Sequence, residues 1–158
     1  VNQCLQRLLQ KRHLKHRLGT GSLPQWVEWC RDQVKTADLA IPELCGRLET
    51  EKGLAALKHC TTLDTLHLDL AGSQIGPTGA QALAELKSCS ALHTLSLEVQ
   101  FNQIGDAGAQ ALATLKDGTA LHTLKINLRG NQVRGAGAQA LAALNVSTTL
   151  RRLNLDLC

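Results

Sequence analysis

The chain has 158 residues, 44% hydrophobic but only 2% aromatic, with 17 basic and 13 acidic side chains for a formal net charge of +4. That length allows one domain with a sizeable core, and because Trp26, Trp29 and Phe101 are its aromatic residues, the core must be built from Leu, Ala, Val and Ile. No apolar run approaches the ~18 residues of a membrane span and no secretory apolar region is present. Six cysteines without a C-x-x-C pair point to reduced thiols inside a cell, in the cytoplasm or an organelle, and not to a disulfide framework.

In chain order, residues 1–33 come first as a basic segment. Arg7, Lys11, Arg12, Lys15, Arg17 and Arg31 stand against only Glu28 and Asp32, so this segment holds the whole charge excess and residues 34–158 are neutral. Two helices are predicted here, split by Gly19-Thr20-Gly21-Ser22. Leu5, Leu8 and Leu9 share one face of the first helix, while Leu14 and Leu18 fall nearly opposite, so no single apolar stripe runs its length. Arg7, Lys11, Arg12, Lys15 and Arg17 are candidate partner contacts in a basic docking arm, with Trp26 and Trp29 as aromatic anchors. The competing expectation packs both tryptophans into the core of the first repeat. An alternative function for the same charges is contact with RNA or an anionic membrane surface, against which stand the broken stripe and the lack of aromatics among the charges.

Residues 34–62 read as a degenerate capping repeat. Leu54, Ala55, Leu57, Lys58 and Cys60 stand in register with Leu83, Ala84, Leu86, Lys87 and Cys89, each the same interval ahead of its counterpart. Ala37, Leu39 and Ile41 likewise fall where strand leucines recur later. Pro42 and Leu44 break the pattern, as terminal repeats do. Leu23-Pro24, Asp38-Leu39 and Leu44-Cys45 with Arg47 loosely resemble an F-box, which implies an adaptor as a further alternative; Arg31 and Asp32 stand where that motif has aliphatic residues.

From Leu63 the text repeats. Leucines lead at 63, 92, 121 and 150 with a constant step, the mark of a solenoid. Leu92, Leu95, Leu97 and Val99 end in strict alternation and predict a short strand with one buried face. Gly105 and Gly108 break it, and Ala109, Leu112 and Leu115 return at helical spacing. Asp106 is placed to cap its helix and Pro77 to occupy a first helical turn. Each unit is strand, turn, helix, and must stack on its neighbours to bury its apolar edge.

The wording LxxLxLxLxxNxIGxxGAxALAxL over residues 63–158 resembles the ribonuclease-inhibitor-like class of leucine-rich repeats. The resemblance implies an α/β solenoid with short parallel strands on a concave side and helices on a convex side; the α-helical N-terminal segment read above precedes it. Two extra residues in the strand segment and one fewer in the helix depart from that class. Residues 150–158 are a strand with no helix after it, so its open edge is expected to be covered in the functional state by a partner subunit or further chain.

Gly135-Ala136-Gly137-Ala138-Gln139-Ala140 spells a dinucleotide-binding order, but Gly135 matches Asp106 and Pro77 in the sister repeats, so small residues at a helix–sheet contact are the preferred reading. The leucine-rich-repeat resemblance also implies that Asn102 and Asn131 bond backbone groups at the turns, as a buried amide must, with Ser73 a weaker substitute. Cys60 and Cys89, one period apart, fall within disulfide range and form a candidate redox pair, with inert reduced thiols as the preferred alternative. His93 and His122 stack one repeat apart without a third metal ligand. No catalytic motif is recognisable, so neither an enzyme nor a cofactor or metal is expected. What remains is surface: outward strand positions including His67, Asp69, Glu98, Lys125, Arg129 and Arg152 line the concave face as candidate partner contacts. Five strands spaced ~4.8 Å and about four residues long give roughly 250 Å², short of the ~800 Å² per partner of a standard interface. The sequence therefore reads as a non-catalytic protein-interaction module, an accessory or scaffold subunit whose partner engages flanking surface as well.

Overall fold

The computed structural model describes residues 13–17, 23–41 and 47–158. Along the chain run strand β1 (His13–Arg17), helix α1 (Leu23–Cys30), β2 (Thr36–Ala40), α2 (Arg47–Ala56), β3 (Thr65–Asp69), α3 (Gly76–Ala84), β4 (Thr94–Glu98), α4 (Gly105–Ala113), β5 (Thr123–Asn127), α5 (Gly135–Ala142) and β6 (Arg152–Asp156). The strands form one parallel sheet in chain order. Helices α2 to α5 each close with a 3₁₀ turn before the chain returns to the sheet. The product is an α/β solenoid, strands on one side and helices on the other.

The period of the text is the register of the sheet. Thr36, Thr65 and Thr94 lie side by side, as do Leu39, Leu68 and Leu97, then Ile126. In β2, β3 and β4 the second and fourth residues are buried and their neighbours half-exposed, because successive side chains point to opposite faces. Leu66, Leu68, Leu95, Leu97 and Leu124 lie wholly inside. At each layer boundary the same backbone bonds recur: Asp64 N donates to Lys35 O at 2.8 Å, His93 N to Asp64 O at 2.8 Å and His122 N to His93 O at 2.9 Å.

The turns between strand and helix are held by asparagine. Asn102 Nδ2 donates to the carbonyls of Leu70 and Val99, both at 2.8 Å, and Gln100 at 3.0 Å, while its Oδ1 accepts from Ile75 N at 3.1 Å. One layer on, Asn131 Oδ1 accepts from Asn102 N at 2.9 Å and Ile104 N at 3.2 Å. Each amide thus ties its own turn to the preceding layer. Ser73, at the matching place, manages one such bond from its hydroxyl, to Ile41 O at 2.8 Å.

Two expectations are corrected. His13–Arg17 is not part of a helix: it is β1, parallel to β2 from His13↔Thr36 to Arg17↔Ala40. A helix there would have split its leucines between opposite faces, whereas a strand satisfies the ladder groups that β2 would otherwise leave open. Asp106 does not cap its own helix, which has no side-chain cap. Its Oδ1 accepts instead from Arg134 N at 2.7 Å and Gly137 N at 3.0 Å, capping α5 in the next layer. Pro77 does sit in the first turn of α3.

Candidate functional site

Neighbouring helices approach closely where the repeats keep a glycine. A Cβ at Gly108 would collide with Ile104 and meet Ala80 Cβ at 3.0 Å and the Pro77 backbone at 3.3 Å. One at Gly137 would lie 2.6 Å from Asp106 Oδ1 and 2.8 Å from Val133, whereas Gly135 has nothing within 4 Å. The second glycine of the dinucleotide-like string is therefore a packing residue and the first is dispensable. Gly108→Ala is expected to lower stability by about 1–3 kcal/mol through overpacking, and Gly135→Ala to leave it unchanged or raise it slightly. Urea unfolding of both variants checks this; a large loss at Gly135 would contradict it.

Cys60 and Cys89 are both buried free thiols, and Cys89 Sγ donates to Cys60 O at 3.3 Å. Burial, reinforced by the adjacent Cys89, pushes the Cys60 thiol up from its ordinary 9.0 to about 11, with Arg31 opposing. The reactive species of a redox cysteine is the thiolate, so this environment suits packing better than exchange chemistry. The native state holds the Cys60 proton more tightly than the unfolded chain. Its contribution to stability is therefore complete below about pH 9 and is lost as pH rises towards 11. Thermal unfolding should accordingly show a midpoint that falls above pH 9, a fall that Cys60→Val makes shallower; an unchanged profile would contradict it.

His93 and His122 stack with ring centroids 5.1 Å apart and planes 15° apart, and Asp64 Oδ1 lies 2.9 Å from His93 Nδ1. Among the described residues no group of three or more His, Cys, Asp or Glu side chains could hold a metal ion.

The concave face is where unburied polar side chains converge, because every outward strand position of the sheet lies on it. Its central row, set by register, is Lys15, Asp38, His67, Ser96, Lys125 and Asn154. Asp38 joins its two neighbours in that row: Lys15 Nζ lies 3.1 Å from Oδ2, and His67 Nε2 lies 3.9 Å from Oδ1. The next row carries Asp69, Glu98, Asn127 and Asp156. Asn127 Nδ2 donates to Glu98 Oε2 at 2.9 Å, and Asp69 Oδ1 accepts from Ala71 N at 3.2 Å. Lys125, Arg129 and Arg152 are exposed. Glu98, Lys125, Asn127, Asn154 and Asp156 border a shallow hollow of ≈ 180 Å³, below the roughly 300 Å³ at which small-molecule pockets begin.

The remaining candidates are distributed differently. Trp26 is buried in the core with Leu23 and Val27, so its ring is not presented to a partner. Trp29 lies on α1 and Arg17 on β1; Arg7, Lys11 and Arg12 lie outside the described residues.

Two surface residues escaped the sequence reading. Asp38 lies one full period before His67 and pairs with it in the sheet, so the period itself could have found it. Phe101 is 61% exposed in the loop after β4, with φ +59°, where the flanking layers have Gly72 and Gly130 at +67° and +68°. Its ring covers Gly130, where a Cβ would lie 2.5 Å from Phe101 Cδ1. A bulky side chain with positive φ is strained, and the glycines at the matching positions were the available signal. Gln74, Gln103 and Gln132, also exposed and at positive φ, continue the rim one per layer.

With the geometry in place, comparison with known proteins adds three findings. A model of the leucine-rich repeat matches residues 59–84, 92–113 and 120–142. Among solved structures, actin-binding site 2 of leiomodin-1 superposes with a TM-score of 0.67 at 19% identity, over 86% of this chain and 78% of that one. No curated protein matches. Within the described residues no helix is long and apolar enough to cross a membrane.

Proposed function

The chain carries leucine-rich repeats, and on that premise we propose that it is a non-catalytic protein-interaction module, an accessory or scaffold subunit working inside the cell, whose concave face and adjoining rim receive a protein partner. The observation that carries this reading is the side-chain arrangement of the sheet. Inward positions are consumed by the core, while Asp69, Glu98, Lys125 and Arg152 project from a rigid backbone. The leiomodin-1 domain is by its name a binder of another protein, which supports an interaction role and leaves the partner here open.

Area decides how much surface the partner must use. Six strands spaced ~4.8 Å give a face of roughly 310 Å², still well short of the ~800 Å² of a standard interface. The rim is the natural extension, and Phe101 supplies the exposed aromatic anchor that hot spots favour. Lys15 Nζ lies 3.1 Å from Asp38 Oδ2, which supports counting β1 with this face and not with a separate RNA- or lipid-binding arm.

The test is native mass spectrometry of the protein purified from its own cells, in three forms: unmodified, Glu98→Lys/Lys125→Glu, and Phe101→Gly. The unmodified form should carry a protein partner that both variants lose while their thermal stability holds. Retention of the partner by both variants, or a bound mass that nuclease removes, would overturn the reading.

A further inference from the structure

The layers of the sheet repeat at nearly the pitch of an α-helix. We propose that one helix of the partner protein lies along the concave face, crossing β2 to β5, with a basic residue over Asp69 and Glu98 and an acidic residue over Lys125. This placement rests on the proposed function and gives the partner a shape and a charge pattern. Thr36, Thr65, Thr94 and Thr123 form one outward row, Asp38, His67, Ser96 and Lys125 the next, and Ala40, Asp69, Glu98 and Asn127 the third. Each row offers one side chain per layer, at the ~4.8 Å spacing of paired strands.

That spacing discriminates between the elements a partner could lay there. Along a helix, side chains on one face recur every turn, at about 5.4 Å. Along an extended strand they recur every second residue, at about 6.6 Å. From β2 to β5 a helix drifts about 1.8 Å out of phase with the layers, and a strand about 5.4 Å, more than a whole layer. Width agrees. The three rows span about 13 Å along the strands, against about 10–12 Å for a helix with its side chains, whereas a strand would cover one row. A face too small for a standard globular interface is thus wide enough for one helix.

Charge supplies the complement. Asp69 and Glu98 stand side by side in the third row, with Ala40 before them and Asn127 after. Among the described residues no cation pairs with either. Ala71 N and Asn127 Nδ2 each occupy one carboxylate oxygen, leaving Asp69 Oδ2 and Glu98 Oε1 without a hydrogen bond among the described residues. Like charges in directly paired positions repel, and a Lys or Arg lowered onto them relieves that repulsion. Asp38, by contrast, already has Lys15 at 3.1 Å, so the unmet negative charge is local to β3 and β4. The sign then reverses within one layer, because Lys125 is exposed on β5 and has no ion pair among the described residues. One helical turn separates a basic residue over Glu98 from an acidic one over Lys125, the spacing at which opposite charges also support a helix. Phe101, exposed at the rim of the same layer as Glu98, lies beside this path.

The test places a photo-reactive group in turn at Thr65, Thr94 and Thr123, uncharged positions one layer apart, in the native cells. Peptide mass spectrometry then identifies the partner residue joined by each. From Thr65 to Thr123 the joined residues should lie about six or seven apart in one partner segment, at about 1.5 Å per helical residue. An extended segment would give about three. A basic partner residue within one turn of the Thr94 adduct is the expected companion of Asp69 and Glu98. Its replacement by Glu should weaken the complex at least ~tenfold, and Asp69→Asn/Glu98→Lys should restore it to within about threefold, with thermal unfolding as the control for folding. A separation of about three, adducts scattered over distant parts of the partner, or no recovery with the swapped charges would each overturn the helix and leave the concave-face reading standing. No protein adduct at any of the three positions would overturn both.

Discussion

Truncating Leu97 to alanine is expected to lower the unfolding free energy by about 2–5 kcal/mol, the range for a large aliphatic side chain removed from a packed core. Leu97 is fully buried, aligned in the sheet between Leu68 and Ile126, and part of the continuous core. Ile126→Ala, one layer on, should cost a similar amount, since Ile126 is only 2% exposed. Ser96→Ala, next to Leu97 but on the opposite face, should change stability by no more than about 0.5 kcal/mol, as surface substitutions usually do. The three together read out the alternation of the strand. Equal losses at Leu97 and Ser96 in urea titrations would contradict the register. Because each layer packs only on its neighbours, the loss at Leu97 should also be felt as local opening of β3 and β5, which hydrogen exchange can follow.

The second large effect is expected at Asn102. Its amide donates to three carbonyls in two layers and accepts from Ile75 N, in buried or half-buried surroundings. Alanine leaves those backbone groups without partners, and each buried orphan costs about 1–3 kcal/mol. The sum should reach about 3 kcal/mol or more even after the turn relaxes. Asn102→Asp should be comparably damaging, because a carboxylate cannot donate to Leu70, Val99 and Gln100. Asn102→Ser should fall between, since Ser73 shows that a hydroxyl at this place keeps one inter-layer bond. If serine and alanine were equally costly, the ladder would not be the source of the stability.

These two sites also mark what could be read from the sequence. Leu97 and Ile126 were legible because the repeat period and the alternation of the strand act on the same residues, and hydrophobic burial rewards both. Asn102 and Asn131 were legible as turn amides through the resemblance to leucine-rich repeats. Strand β1 was not: its register sets His13 beside Thr36, short of a full period, so it lies off the repeat, and its basic, leucine-poor text carries no strong alternation. The Asp106 cap was misplaced because its acceptor oxygen serves the layer ahead, and capping rules written for one helix do not look across to the next. Of the concave face, His67, Asp69, Glu98, Lys125 and Arg152 followed from alternation alone. Phe101 did not, because it stands at a rim position whose backbone conformation ordinarily selects glycine.

The proposed function requires that a protein partner occupy the concave face. Site-specific photo-crosslinking in the native cells tests this most directly, with the reactive group placed at Ser96 in the middle of that face or at Gln110, exposed on α4 on the opposite side. A discrete protein adduct from position 96 and none from position 110 is the predicted result. Adducts from 110 alone, or nucleic acid and lipid adducts in place of protein at 96, would contradict it.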